Sequence, residues 1–195
     1  MIKKWSRKIV GWQINKGILH NQDKEIYEYA YEVSIGQAAN ILITCFVAFS
    51  FQYYMVFLFM LAYIPLRTYA GGFHARNNER CMIFSTAILC AVCIVGKYVL
   101  IQRMIPVVIL LEVLAVAVVL ILSPVEDCNK PLNREEEKKY RKYAYVITFI
   151  EIMIAVVFYV LQKQEISKMI MITHIVMAGT LIMGSIKNRN IRKQV

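Results

Sequence analysis

Charged residues are missing from long stretches of this 195-residue chain. No Asp, Glu, Lys or Arg occurs in 34–66 or in 169–186, and the stretches 82–96, 104–125 and 144–162 hold at most one charge each. Hydrophobic residues make up 58% of the chain, more than a soluble domain of this size can bury. Because a spanning helix needs about 20 mostly apolar residues, the pattern excludes a soluble domain and predicts an all-α, polytopic membrane protein.

The sequence also indicates neither a cleavable signal peptide nor a disulfide framework. Met1–His20 has no continuous apolar core and no small-residue cleavage site, so we expect no cleavable signal. Three of the five cysteines, Cys45, Cys90 and Cys93, lie within apolar stretches, where a free cysteine is usually a small buried hydrophobe. The Cys90/Cys93 spacing resembles a metal or redox pair, but no second ligand pair accompanies it. We therefore expect no metal and no cofactor.

The first 20 residues carry an apolar stripe instead. Ile2, Trp5, Ile9 and Trp12 recur at three- and four-residue steps, and Lys3, Lys4, Arg7 and Lys8 occupy the remaining surface. Such a pattern is typical of an amphipathic helix in the headgroup plane of an anionic leaflet. A solvated basic tail is the alternative, but it leaves two tryptophans in water. We interpret 1–32 as an amphipathic cytoplasmic segment.

The stretch 34–66 decides the number of spans. It is too long for one span and slightly short for two. If it forms a hairpin that turns near Phe51-Gln52, the chain has six spans, at roughly 33–50, 52–70, 82–101, 105–122, 144–162 and 168–186.

Positive charges test this topology. With the N-terminus inside, six spans place 19 of the 23 Lys and Arg residues in the cytoplasm, whereas one span over 34–66 leaves 10 inside and 13 outside. The positive-inside bias favours six spans. We predict one integral domain over 1–195 in the cell membrane, with both termini and the loops 67–81 and 123–143 in the cytoplasm.

The loop 67–81 contains a histidine and a cysteine, the parts of a thiol nucleophile and its base. Asn77-Asn78 precedes an apolar run and is a helix-capping pattern. If Asn78 caps, Cys81 lies at the third helical position, where free backbone N–H groups stabilise a thiolate. Cys128, the other cytoplasmic cysteine, follows two acidic residues, which disfavour a thiolate. Cys81 is therefore the preferred nucleophile.

His74 lies seven residues before Cys81. On a continuous helix that separation is about 10.5 Å, beyond hydrogen-bond reach. The two side chains can meet only if the chain folds back between them, which Gly71-Gly72 and Asn77-Asn78 permit. A polar interfacial loop with an inert histidine is the alternative at this point.

The sequence Arg67-Thr68-Tyr69-Ala70-Gly71-Gly72-Phe73-His74-Ala75, with Cys81 seven residues after the histidine, resembles the signature of the accessory gene regulator B family. That family consists of small membrane cysteine endopeptidases of Gram-positive quorum sensing. The resemblance extends to the length, to a six-span layout with a basic N-terminus, and to the segment 124–131, which is similar to the family's loop after the fourth span. It covers nearly the whole chain.

By position, the resemblance implies that His74 is the base and Cys81 the nucleophile, with Arg67, Gly71 and Gly72 in supporting roles. It implies cleavage of a short precursor peptide through an acyl-enzyme, followed by ring closure to a thiolactone or lactone signal. The implied partners are membrane lipids and a peptide with an amphipathic N-terminus and an acidic C-terminal tail. A homodimer is left open, and no nucleic-acid partner is expected.

The basic loop 123–143 has two interpretations. Its Lys and Arg residues, Lys130 and Arg134 among them, either set the topology or contact the acidic tail of the peptide. A surface field of this kind steers ligands without selecting them.

Three ionisable residues, Glu112, Glu151 and His174, lie within predicted spans. Charges are costly in lipid, so these side chains should face the interior of the bundle, where Glu112 and His174 could pair. A structural pair and a polar cavity for peptide translocation are both open. If the three residues form a relay instead, the alternative function is that of a small transporter or exporter. No internal repeat supports this alternative. A non-catalytic adaptor that recruits partners through its basic face is the third hypothesis.

Overall fold

The computed structural model describes residues 2–73, 78–99, 105–126 and 132–192, and these contain no β-strand. It is 88% helical, which confirms the all-α prediction. The α-helices of the described part are α1 (Ile2–Asn15), α2 (Lys24–Phe51), α3 (Met55–Ala70), α4 (Asn78–Ile94), α5 (Ile105–Leu122), α6 (Arg134–Val160) and α7 (Gln164–Arg192). A 3₁₀ turn, Asn21–Asp23, precedes α2, and a π-helical turn, Val95–Val99, follows α4.

Helices α2 to α7 follow the order of the six predicted apolar segments. Within the described ranges, four of them (α2, α4, α6 and α7) are long and apolar enough to cross a membrane. The apolar parts of the other two are shorter, at Met55–Ala70 and Pro106–Leu122. The chain is thus a helical membrane protein with four candidate spans, while the six-span topology and its orientation stay predictions.

The predicted turn between the first two spans is present. Gln52 takes a left-handed backbone conformation, with φ at 48°, and this ends α2. The Tyr53 N–H then donates to the Ala48 carbonyl at 3.1 Å, which satisfies one of the last carbonyls of α2. The hairpin prediction at Phe51-Gln52 is confirmed.

The predicted loop 123–143 is wrong in its second half, because α6 begins at Arg134. A reciprocal capping box starts this helix: the Asn133 carboxamide accepts from the Glu136 N–H at 2.8 Å, and the Glu136 carboxylate accepts from the Asn133 N–H at 3.1 Å. Glu135, Glu136 and Glu137 lie in the first turn, where the helix dipole favours negative charge. An apolar stretch reveals only the part of a helix that lies in the membrane. The polar first ten residues of α6 were therefore not predicted to be helical.

Helix α7 is the centre of the bundle. In the most apolar 18-residue stretch of α7, 56% of the residues are buried, compared with 17–22% in the other long helices. Helix α7 packs against α3, α5 and α6. One apolar cluster joins α7 to α2, α3 and α4 through Phe59, Val92 and Met169. A second joins it to α3, α5 and α6 through Leu66, Val119, Ala144, Met177 and Leu181. Side chains that point away from the bundle are largely apolar on α5, among them Leu110, Val113, Leu114 and Ile121, as expected for a lipid-facing surface.

The N-terminal segment Ile2–Asn15 forms α1, which packs along α2, and its amphipathic interfacial character stays a prediction. Ser6 and Val10 are buried, whereas Trp5 is 62% and Trp12 57% exposed. The two tryptophans therefore lie on the outer surface of the protein. Their position at a membrane surface stays a prediction.

Candidate active site

The segment Gly71–Phe73 follows α3 in a conformation that needs glycine. Gly71 has φ at 74° and Gly72 at 120°, a region that other residues rarely adopt. The Arg67 guanidinium donates to the Gly71 carbonyl at 2.7 Å and also to the Phe73 carbonyl. Arg67 thus clamps the segment that begins where α3 ends, which gives the predicted supporting residues a physical role.

Helix α7 holds the other side of this segment. The Phe73 N–H donates to the Thr180 carbonyl at 2.8 Å. One turn further, a Cβ atom on Gly184 would lie 2.7 Å from the Gly72 carbonyl carbon and 2.8 Å from the Phe73 nitrogen. Only glycine lets the loop backbone approach the helix so closely. The sequence analysis missed Gly184, because a lone glycine in an apolar run does not reveal what packs on it.

The loop after α5 joins the same assembly. Val125 N–H donates to the Ala70 carbonyl at 2.9 Å, and Gly72 N–H donates to the Val125 carbonyl at 3.3 Å. Asn188 of α7 donates to the Glu126 carbonyl at 2.7 Å. Three segments distant in sequence therefore fix the backbone immediately before His74, which itself lies outside the described residues.

Phe73 also contacts the beginning of α4. Its ring centroid is 5.1 Å from that of Phe84, although eleven residues along a continuous helix would span about 16 Å. Cys81 precedes Phe84 by three residues, so it lies about one turn nearer the start of α4. The chain thus returns on itself between Phe73 and Phe84, as the pairing of His74 with Cys81 requires.

Cys81 is the fourth residue of the described part of α4, which begins at Asn78. The residues just before Asn78 lie outside the described ranges, so the cap at Asn78 stays a prediction. The Cys81 side chain is partly exposed, and a reactive thiol must be accessible in this way. Cys45 and Cys90 are also partly buried free thiols and Cys93 is fully buried, whereas Cys128 lies outside the described residues.

The Cys81 side chain lines a groove between α2 and α4. The groove has a volume of about 380 Å³, and Ile2 of α1 is among its lining residues. Its walls include Glu32, Gly36, Gln37 and Asn40 of α2 and Cys81 and Met82 of α4. The sequence analysis missed the α2 residues, since nothing in the chain predicts that the start of α2 faces the start of α4.

The predicted peptide-binding cation Arg134 is not among the residues that line this groove. Arg134 is exposed at the start of α6, a helix that packs on α3, α5 and α7. Lys130 lies outside the described residues. The structure therefore brings Arg67, Gly71, Gly72 and the start of α4 together, and it does not bring Arg134 to Cys81.

The ionisable residues of the spans form one cluster in the bundle interior. His174 Nδ1 lies 2.5 Å from Glu112 Oε1, and His174 Nε2 lies 2.9 Å from Glu151 Oε2. The predicted Glu112–His174 pair is confirmed, and Glu151 is added to it. His174 is fully buried, so the cluster links α5, α6 and α7 through one imidazole.

No group of three or more His, Cys, Asp or Glu side chains in the described ranges has an arrangement suited to a metal ion. Both ring nitrogens of His174 are engaged by carboxylates, which leaves neither free to coordinate.

The protein is thus a helical membrane protein with a candidate thiol site. The site combines a glycine-rich loop, an arginine clamp and a cysteine near the start of the described part of a helix. The chain belongs to the accessory gene regulator B family, whose sequence model matches residues 2–182. Membership is consistent with a processing role in the maturation of a quorum-sensing peptide, and the family is in general one of protease-like processing enzymes. No curated protein and no solved structure matches the chain significantly.

Proposed function

We propose that this chain is a membrane cysteine endopeptidase that cleaves a short precursor peptide, with Cys81 as the nucleophile and His74 as the base. The contact between Phe73 and Phe84 is the observation that carries the proposal. It brings the residue before His74 against α4 one turn from Cys81. The thiol also lines a groove large enough for a peptide segment.

In the proposed reaction, the His74 imidazole takes the proton of the Cys81 thiol. The thiolate attacks a peptide carbonyl carbon and a C–S bond forms. The C–N bond of that peptide unit then breaks, and the new amine of the released tail receives the proton from the imidazolium. The product is a thioester between Cys81 and the N-terminal part of the peptide.

Ring closure follows from the thioester. A thiol or hydroxyl within the bound peptide loses its proton to His74 and attacks the same carbonyl carbon. The C–S bond to Cys81 breaks, which frees the thiolate and leaves a thiolactone or lactone. Water must be kept from the thioester during this step, and a groove between two helices at the membrane boundary serves that purpose.

The clamp around Gly71–Phe73 supports this chemistry by positioning. Two hydrogen bonds from Arg67 and one from the Phe73 N–H fix the chain before His74. A base displaced by about 1 Å can lose two orders of magnitude in rate. Arg67, Gly71 and Gly72 are therefore positioning residues in the proposal.

We further propose that the site faces the cytoplasm of a cell membrane, where thiols stay reduced. The substrate would be a peptide with an amphipathic N-terminus and an acidic tail. Its N-terminus would lie beside α1, whose exposed Trp5 and Trp12 suit the interface. Its tail would lie toward the basic residues Lys130 and Arg134.

The transporter alternative uses Glu112, Glu151 and His174. Their mutual contacts account for all three as a link between helices, so no observation favours transport over endopeptidase activity.

The test is a cleavage assay with the protein in liposomes and the precursor peptide encoded beside its gene. Mass spectrometry should detect the released tail and a hydroxylamine-sensitive adduct on Cys81 in the wild type. Cys81→Ala should yield neither product, whereas Cys45→Ala, the matched control, should yield both. Cleavage by Cys81→Ala would contradict the proposal.

A further inference from the structure

Gly36 and Cys81 line the same groove. Both residues contribute to its walls, Gly36 from α2 and Cys81 from α4. A Cβ atom built on Gly36 meets no other atom within 4 Å. The glycine therefore leaves open space beside the thiol, and any larger side chain at this position would project into that space rather than into the core.

Two polar residues of α2 line the groove together with Gly36. Gln37 is exposed and Asn40 is half-exposed, and both line the groove. A carboxamide offers two donors and one acceptor oxygen, which matches the alternating N–H and C=O groups of an extended peptide. The volume of about 380 Å³ falls within the range of about 300–1,000 Å³ that ligand sites take.

The lining of the groove indicates which part of a peptide it fits. Ile2 lines the groove together with Cys81, and Ile2 stands at the start of the helix that carries the exposed tryptophans. Arg134, at the basic start of α6, is not among the lining residues. A peptide with its amphipathic N-terminus near α1 and its acidic tail near α6 would place the residues before the cleaved bond in the groove.

We infer that the groove over Gly36 is the binding site for the extended peptide residues that immediately precede the cleaved bond, with Gln37 and Asn40 pairing with their backbone. The inference rests on the proposed function. It assigns α2, rather than the loop 67–81 alone, to substrate recognition.

Two thiol reagents of different size test this assignment in liposomes. Iodoacetamide needs only the thiol. N-acetyl-trialanine chloromethyl ketone needs the groove as well, since its peptide must lie along α2 while the Cys81 sulfur attacks the methylene carbon and chloride leaves. Peptide mapping by mass spectrometry gives the alkylation rate at Cys81 for each reagent.

Gly36→Leu should lower the rate with the chloromethyl ketone at least about tenfold and leave the iodoacetamide rate within about twofold of the wild type, as expected when a side chain fills a subsite. Gly179→Leu is the matched control, because Gly179 is another helical glycine with nothing within 4 Å of its Cβ position. It should change neither rate.

An unchanged chloromethyl ketone rate in Gly36→Leu would overturn the inference. If Gly36→Leu slows both reagents, Gly36→Ala replaces it in the comparison, and an equal slowing of both reagents in Gly36→Ala would also overturn it. The proposed function fails separately, when Cys81→Ala still cleaves the precursor. Loss of cleavage in Cys81→Ala with wild-type cleavage in Gly36→Leu would reject the groove and retain the endopeptidase.

Discussion

The molecule has two polar sites among its apolar helices, and they are built in opposite ways. At the Glu112–His174–Glu151 cluster, three ionisable side chains from three helices contact one another, and the imidazole is fully buried. At the groove, Cys81 is partly exposed and lines open space together with polar residues of α2. One site is filled by the protein itself, and the other leaves room for a ligand.

The difference distinguishes a polar group that stabilises the bundle from one available for chemistry. The two carboxylates contact the two ring nitrogens of one imidazole, so His174 has no nitrogen left to act on a substrate. A nucleophile needs the reverse, a reactive atom with space in front of it. Four variants break or sharpen this comparison, from the largest expected effect on the site or the fold to the smallest.

His74→Ala should abolish peptide cleavage, with a loss of at least about a hundredfold because general-base catalysis contributes about that much or more. Cys81 alkylation by iodoacetamide at neutral pH should fall as well, since a histidine-paired thiolate loses its partner. The measurement is the alkylation rate against pH for wild type and variant. An unchanged profile would mean that the helix start alone activates Cys81.

Gly184→Ala should lower cleavage by about ten- to a hundredfold, the effect expected when a catalytic group is displaced by about 1 Å. The added Cβ would lie 2.7 Å from the Gly72 backbone and would push the loop away from α7. Gly179→Ala is the control on the same helix, because its Cβ position is open.

The expected pattern is a lower turnover rate for Gly184→Ala with thermal stability close to that of Gly179→Ala. Equal cleavage by the two variants would show that the contact between loop and α7 does not position the site.

Glu151→Gln should act mainly on stability. It removes one carboxylate from the buried cluster, and such changes cost about 3–5 kcal/mol in soluble cores but average nearer 0.6 kcal/mol for hydrogen bonds inside membrane bundles. We expect a lower unfolding temperature in detergent and cleavage within about threefold of the wild type. Complete loss of cleavage in a variant that remains folded would favour the relay of the transporter alternative.

Trp5→Glu combined with Trp12→Glu should have the smallest effect on the folded protein itself. Both side chains are exposed on α1, so the fold should persist while the attraction of α1 to the headgroup region weakens. Peptide cleavage in liposomes should fall several-fold, and iodoacetamide should still label Cys81 at the wild-type rate. Wild-type cleavage would mean that α1 does not take part in peptide capture.

Much of the fold could be predicted because membrane helices are long apolar stretches with few charges, which the sequence shows directly. Charge-free stretches gave six apolar segments, and helices α2 to α7 follow them in order. The ends were less predictable: α6 begins ten residues before the segment predicted at 144–162, because a capping box and surface charges extend a helix without apolar residues. Arg67, Gly71 and Gly72 were identified only through the resemblance to the family signature, and the structure gives the three a shared backbone clamp.

The sequence by itself determined that the chain is a helical membrane protein and which cysteine and histidine to test. Both follow from local information, namely long apolar runs and a short motif. Only the tertiary structure decided that Gly184 receives the loop, that Glu151 joins Glu112 at His174, and that Gly36 and Cys81 line the same groove. These are contacts between helices far apart in the chain, and side-chain periodicity specifies which face of a helix is apolar but not which neighbour that face meets.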